Sequence, residues 1–123
     1  MAELRVDGID QLLTELTRRG QQGLQIGNSA LKSAGEIVKQ SIEQHAPRQS
    51  GKLKNSIKVS GVKTKDGVKY VEIGPDKDAY YAKFLEFGTV KMRAKPFMAP
   101  ALENARDQAL AVLKEELRRG LGL

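Results

Sequence analysis

Residues 53 to 74 read LKNSIKVSGVKTKDGVKYVEIG, and within them the hydrophobic period falls from about 3.6 residues to 2. Ile57 and Val59 alternate with Ser56, Lys58 and Ser60, while Val71 and Ile73 alternate with Tyr70 and Glu72. Two such runs around Asp66-Gly67 make a β-hairpin. Register discriminates between two turns. A two-residue Asp66-Gly67 loop would set Ser60 opposite Ile73, whereas a three-residue loop of Lys65, Asp66 and Gly67 sets Val59 opposite Ile73 and Val62 opposite Tyr70. Directly opposed residues share a face, so the three-residue loop keeps the apolar set together and is the expected one. It also puts Gly67 where a left-handed residue is needed.

On the N-terminal side the period is helical. After a short strand at Leu4 to Val6, Asp7 can cap a helix carrying Ile9, Leu12, Leu13 and Leu16, which Gly20 ends. Gly23 and Gly27 loosen the link to a longer helix with the stripe Ala30, Leu31, Ala34, Ile37, Val38 and Ile42, and Pro47 stops it. On the C-terminal side, Tyr80 to Gly88 reads as two helical turns closed by Gly88, with Lys83 and Glu86 its only charged positions. Such a helix is apolar nearly all round and must be covered, by its own domain or by a neighbouring subunit. A cationic loop, Thr89 to Lys95, follows with Lys91, Arg93 and Lys95. Pro96 and Pro100 then open a last helix with the stripe Met98, Leu102, Ala105, Ala109, Val112, Leu113 and Leu117, ending at Gly120.

That order predicts a single α+β domain over 1–123. A small antiparallel sheet, the hairpin at about 53–74 with room for edge strands, carries two N-terminal helices, a short central helix and a long C-terminal helix on one face. The length of 123 residues suits one core, and the absence of cysteine excludes disulfides, thiolate nucleophiles and cysteine-bound zinc. The longest run without charged or strongly polar residues, Phe97 to Leu102, is far short of the roughly 20 that span a bilayer. The opening residues carry acids early and no apolar core, so no secretory leader is expected.

The formal net charge of +6 is localised. Residues 51–95 hold eleven basic and five acidic side chains, while the segments on either side are balanced. Lys52, Lys54, Lys58, Lys63, Lys65 and Lys69 are either the solvated side of a hairpin or a surface facing DNA or an acidic partner. All six aromatic residues lie between 70 and 97, so the most positive segment also holds the residues best suited to decisive contacts.

Catalytic groups are scarce. The one histidine, His45, sits near a helix C-terminus, where service to the helix dipole or the surface is its ordinary role. Pairing it with Ser50 as a hydrolase is a remote alternative. Asp66, Asp76 and Asp78 fall in turns beside lysines without a calcium-loop pattern. Ser50-Gly51-Lys52 lacks the upstream glycine of a phosphate-binding loop and precedes a strand rather than a helix. An enzyme, a metal and a cofactor are therefore not expected.

Two segments go beyond composition. Pro47-Arg48-Gln49-Ser50-Gly51-Lys52-Leu53-Lys54-Asn55-Ser56-Ile57 resembles a signature of the gene-product-ten family of tailed phages, named after phage Hong Kong 97. Tyr81-Ala82-Lys83-Phe84-Leu85-Glu86-Phe87-Gly88-Thr89, followed by Ala94-Lys95-Pro96-Phe97-Met98-Ala99-Pro100-Ala101-Leu102, resembles its second signature in order and spacing. The resemblance implies a structural protein of a phage or prophage virion, in the neck between portal and tail, completing the tail or joining head to tail as a homo-oligomeric ring. Its partners would be further copies of itself, other neck and tail proteins, and passing DNA met through its backbone, with no membrane. It would be made in the host cytoplasm and end in the virion.

In that setting Tyr81, Phe84 and Phe87 would anchor the short helix, in the domain's own core or in an interface. Gly88 would be its left-handed cap, and Glu86 would tether the loop of Thr89, Lys91 and Arg93 or an arginine of the next subunit. Pro96, Phe97 and Pro100 would fix the start of the last helix. Lys52, Lys54, Lys58, Lys63 and Lys65 would face DNA or an acidic neighbour. The alternative reading is a small basic nucleic-acid-binding protein.

Overall fold

The computed structural model describes residues 2–5, 10–46, 55–76, 88, 93 and 96–123. Its elements are β1 (Ala2–Arg5), α1 (Asp10–Arg18), α2 (Gln21–His45), β2 (Ile57–Val59), β3 (Lys63–Lys65), β4 (Val68–Pro75) and α3 (Met98–Leu121). The expected α+β class is found. The short central helix expected at Tyr80 to Gly88 lies outside the described residues except for Gly88, as do the Asp7 cap and Ile9.

Strand β4 is the spine of an antiparallel sheet. β1 pairs along one side of it, with Leu4 opposite Val71. β2 and β3 pair in succession along the other, with Val59 opposite Ile73 and Lys63 opposite Tyr70. From 59 to 63 the first arm advances four residues while β4 retreats three. One residue is therefore extra, and β2 and β3 are two halves of a single arm interrupted by a β-bulge at Ser60-Gly61.

The bulge resolves the question of the turn differently from the sequence reading. Lys65 pairs with Val68, so the loop is the two-residue Asp66-Gly67. Both residues have positive φ, 53° and 78°, as a type I′ hairpin requires. Val59 still faces Ile73, as the three-residue loop was expected to arrange, because the bulge absorbs the difference. Val62 does not oppose Tyr70; Lys63 does.

The helices lie on one face of this sheet. Helix α2 crosses β4 and β2, and α3 packs antiparallel along α2, reaching β1. Leu31, Val38, Ile42, Ile57, Val71, Ile73, Leu113 and Leu117 are fully buried between the layers. The layers approach closely because alanines line the seam: Ala30, Ala34, Ala101, Ala105 and Ala109 are all buried. Gly35 brings α2 onto the sheet itself, where an added Cβ would stand 3.1 Å from Val59 and 3.2 Å from Val71.

Two helix limits differ from expectation, and the stop before Pro47 agrees with it. Gly23 and Gly27 do not loosen a linker; both are helical and buried in α2, which begins at Gln21. The turn at Arg19-Gly20 folds α1 so tightly against α2 that a Cβ on Gly23 would run into the Leu16 carbonyl. At the other end Ala46 is extended, at φ −64° and ψ 143°, as a residue before proline prefers, and its N–H still donates to the Ile42 carbonyl. Helix α3 runs past Gly120 to Leu121. Its left-handed cap is Gly122, φ 75°, whose N–H donates to Arg119 while that of Leu123 donates to Arg118, a Schellman motif.

Candidate interaction surface

Because side chains alternate along β4, its odd-numbered residues face the helices and its even-numbered residues face away. Val71 and Ile73 are in the core accordingly, and the Lys69 ammonium donates to the Asn28 side-chain carbonyl on α2 at 3.1 Å. Tyr70 and Glu72 belong to the outer face. Among the described residues no helix covers that face.

The bulge decides which lysines join it. Opposed residues share a face. Lys58 opposite Gly74, Lys63 opposite Tyr70 and Lys65 opposite Val68 therefore all stand on the outer side. An unbroken arm continuing from Val59 would have turned Lys63 and Lys65 toward the helices and Val62 toward solvent. With the extra residue Val62 packs against the core instead. One inserted residue thus gathers three of the predicted cations into a row. From Gly74 to Val68 the row spans about 20 Å at roughly 3.4 Å per residue.

Ser60 holds the bulge. Its N–H donates to the Glu72 carbonyl at 2.8 Å, and its hydroxyl oxygen accepts the Glu72 N–H at 2.9 Å while donating to Gly61 at 2.8 Å. The side chain thereby stands in for a backbone acceptor that the irregular ladder cannot supply. Glu72 in turn puts its carboxylate 3.1 Å from the Lys63 ammonium. With side chains 50% and 28% exposed, that pair contributes little to stability, about 0.2–1 kcal/mol, but it neutralises one cation of the row. Lys58 and Lys65 are exposed and have no ion-pair partner among the described residues.

Other predicted site residues divide. Gly88 has φ 77°, the left-handed conformation expected of a helix cap. Arg93 and Pro96 are exposed. Phe97 is 3% exposed, in the domain's own core at the start of α3, so any effect on an interface would pass through the helix it positions. Tyr81, Phe84, Glu86, Phe87, Thr89, Lys91, Lys52 and Lys54 lie outside the described residues.

His45 is engaged within the fold. Its Nδ1 lies 2.8 Å from the Ser41 carbonyl, which only accepts, so Nδ1 carries the proton. Nε2 then accepts from the Asn104 amide at 3.0 Å. With the Ser41 hydroxyl donating to Ala101 at 2.8 Å, the three residues clasp the end of α2 to the start of α3. A furrow at the opposite end of these helices, about 280 Å³, is lined by Ile26, Gly120 and the Glu116–Arg119 pair. Its charged groups answer each other and present no convergent chemistry.

Sequence reasoning missed Ser60, Glu72 and Asn28. A signal for the bulge was present: the core residues of the arm are 57, 59 and 62, so the spacing breaks from two to three at Gly61.

A family model described as "Bacteriophage HK97-gp10, putative tail-component" matches residues 10–88. The match begins at α1 and covers both N-terminal helices and the whole hairpin, well over half of the chain. It includes the first signature and the Tyr81–Thr89 segment as far as Gly88, whereas Ala94–Leu102 lies beyond it. No curated protein and no solved structure matches the chain.

Proposed function

We propose a role narrower than the family's: the chain belongs to the HK97-gp10-like family of bacteriophage tail components, and within the virion it joins head to tail as a non-enzymatic ring of identical subunits. The observation that carries this is the family match over the helices and hairpin, in a chain that also carries both signatures in order. The engagement of both nitrogens of His45 in a helix clasp supports a structural role over catalysis. The sheet face that no described helix covers supplies a surface suited to neighbours above, below or beside a subunit, and the residues Tyr80 to Phe87 are of the aromatic kind that anchors interfaces.

Deleting the gene should leave filled heads and free tails in the same lysate, and supplying the protein in trans should restore joined particles, both scored by electron microscopy. Joined particles from the deletion strain would sink the reading. Ring formation is tested separately, by sedimentation of the protein alone and with its neck neighbours. A monomer under every such condition would remove the ring.

A further inference from the structure

The geometry points to the outer face of the sheet as a weak, sequence-independent binding surface for the phosphate backbone of duplex DNA, with Glu72 as a built-in attenuator that withholds Lys63. This deepens the neck reading, on which it rests only for the presence of DNA beside the protein.

Three observations carry it. The cations Lys58, Lys63 and Lys65 form one row of about 20 Å, a length along which each strand of a duplex presents about six phosphates. The row is produced by a bulge that Ser60 hydrogen-bonds on both sides, so the placement is built rather than incidental. Protein interfaces are depleted in lysine and centred on apolar or aromatic anchors. On β2, β3 and β4 the outer face offers instead a lysine row with half-buried Tyr70 and Glu72 in its midst. A polyphosphate fits that composition better than a folded acidic protein. Lysine contacts the backbone as a point charge without reading bases, so the surface is blind to sequence.

Glu72 gives the surface a second property. By pairing with Lys63 it leaves, among the described residues, two cations of the row without an ion pair, which keeps the hold on DNA loose. A surface lining a path for moving DNA needs to compensate phosphate charge without arresting the duplex.

The test is fluorescence anisotropy of the full chain with a random-sequence 20-base-pair duplex across a salt series. Each cation that neutralises a phosphate adds about 0.9 to the slope of log affinity against log salt. Relative to the unaltered protein, Glu72→Gln should bind more tightly and steepen the slope by about 0.9, while Lys58→Gln/Lys65→Gln should bind more weakly and flatten it by about 1.8. A gain of affinity in Glu72→Gln with an unchanged thermal melt does not arise from damage to the fold. Unchanged slopes in both variants would overturn the proposal. So would polyglutamate displacing DNA at equal charge concentration, which would assign the face to an acidic protein. The deletion strain keeps the two readings apart: loss of joining there with no DNA binding by the unaltered protein would remove only this face, and DNA binding by the protein together with joined particles from the deletion strain would remove only the neck role.

Discussion

At the scale of single residues, the decisive positions are those where a side chain is missing. An alanine in place of a glycine inside a helix ordinarily stabilises by about 1 kcal/mol. Gly23 should reverse that sign, because the space a Cβ would take is held by the backbone carbonyl of Leu16, which cannot move without displacing α1. Gly23→Ala is expected to destabilise by about 1–3 kcal/mol, a drop of several degrees in a thermal melt followed by circular dichroism. Among the described residues, a Cβ on Gly27 meets only the Leu16 Cδ1 at 3.6 Å, an ordinary contact, so Gly27→Ala should be neutral or stabilising. A melt in which both variants behave alike would refute the close approach. In the sequence these glycines read as a flexible link, since composition cannot tell a glycine chosen for freedom from one chosen for proximity.

Among elements, the bulged arm is the informative one. The apolar alternation correctly identified the hairpin and its base register, Val59 opposite Ile73, because a buried face admits only one parity. It misassigned the turn because register was carried through unbroken, when the spacing of Ile57, Val59 and Val62 already held one residue too many. Ser60 is where that irregularity is stabilised. Ser60→Ala removes the acceptor of the Glu72 N–H and should cost about 1–2 kcal/mol, whereas Ser33→Ala, on a helix without such a bond, should cost far less. Chemical denaturation of the two variants measures the difference. Faster hydrogen exchange at the Glu72 amide in Ser60→Ala would locate the loss at the bulge, and unaltered exchange there would disprove the assignment. Helix limits were legible where a proline or an extended cap intervenes, as at Ala46-Pro47, and less so at the C-terminus, where Gly120 and Gly122 offered two stops. The structure takes Gly122, while Gly120 sits under Ile26.

For the whole molecule, the net charge of +6 and its confinement to residues 51–95 have a consequence that no single residue carries. If identical subunits form a closed ring, each presents the same face in the same direction, and a lysine-bearing face turned toward the lumen brings like charges together. Repulsion among them opposes closure and is screened beyond about 10 Å at 0.1 M salt. Ring assembly should therefore be favoured by added salt, or at low salt by a polyanion occupying the lumen, the reverse of an assembly held by intersubunit ion pairs. Sedimentation velocity between about 25 and 300 mM salt distinguishes the two. Larger species at the higher salt place the lysines facing one another. Dissociation at the higher salt would mean that the lysines meet acidic groups of the adjacent subunit. Under the first outcome Glu72→Gln, which removes a compensating charge from every subunit, should shift the assembly midpoint to still higher salt, and duplex DNA should bring it back.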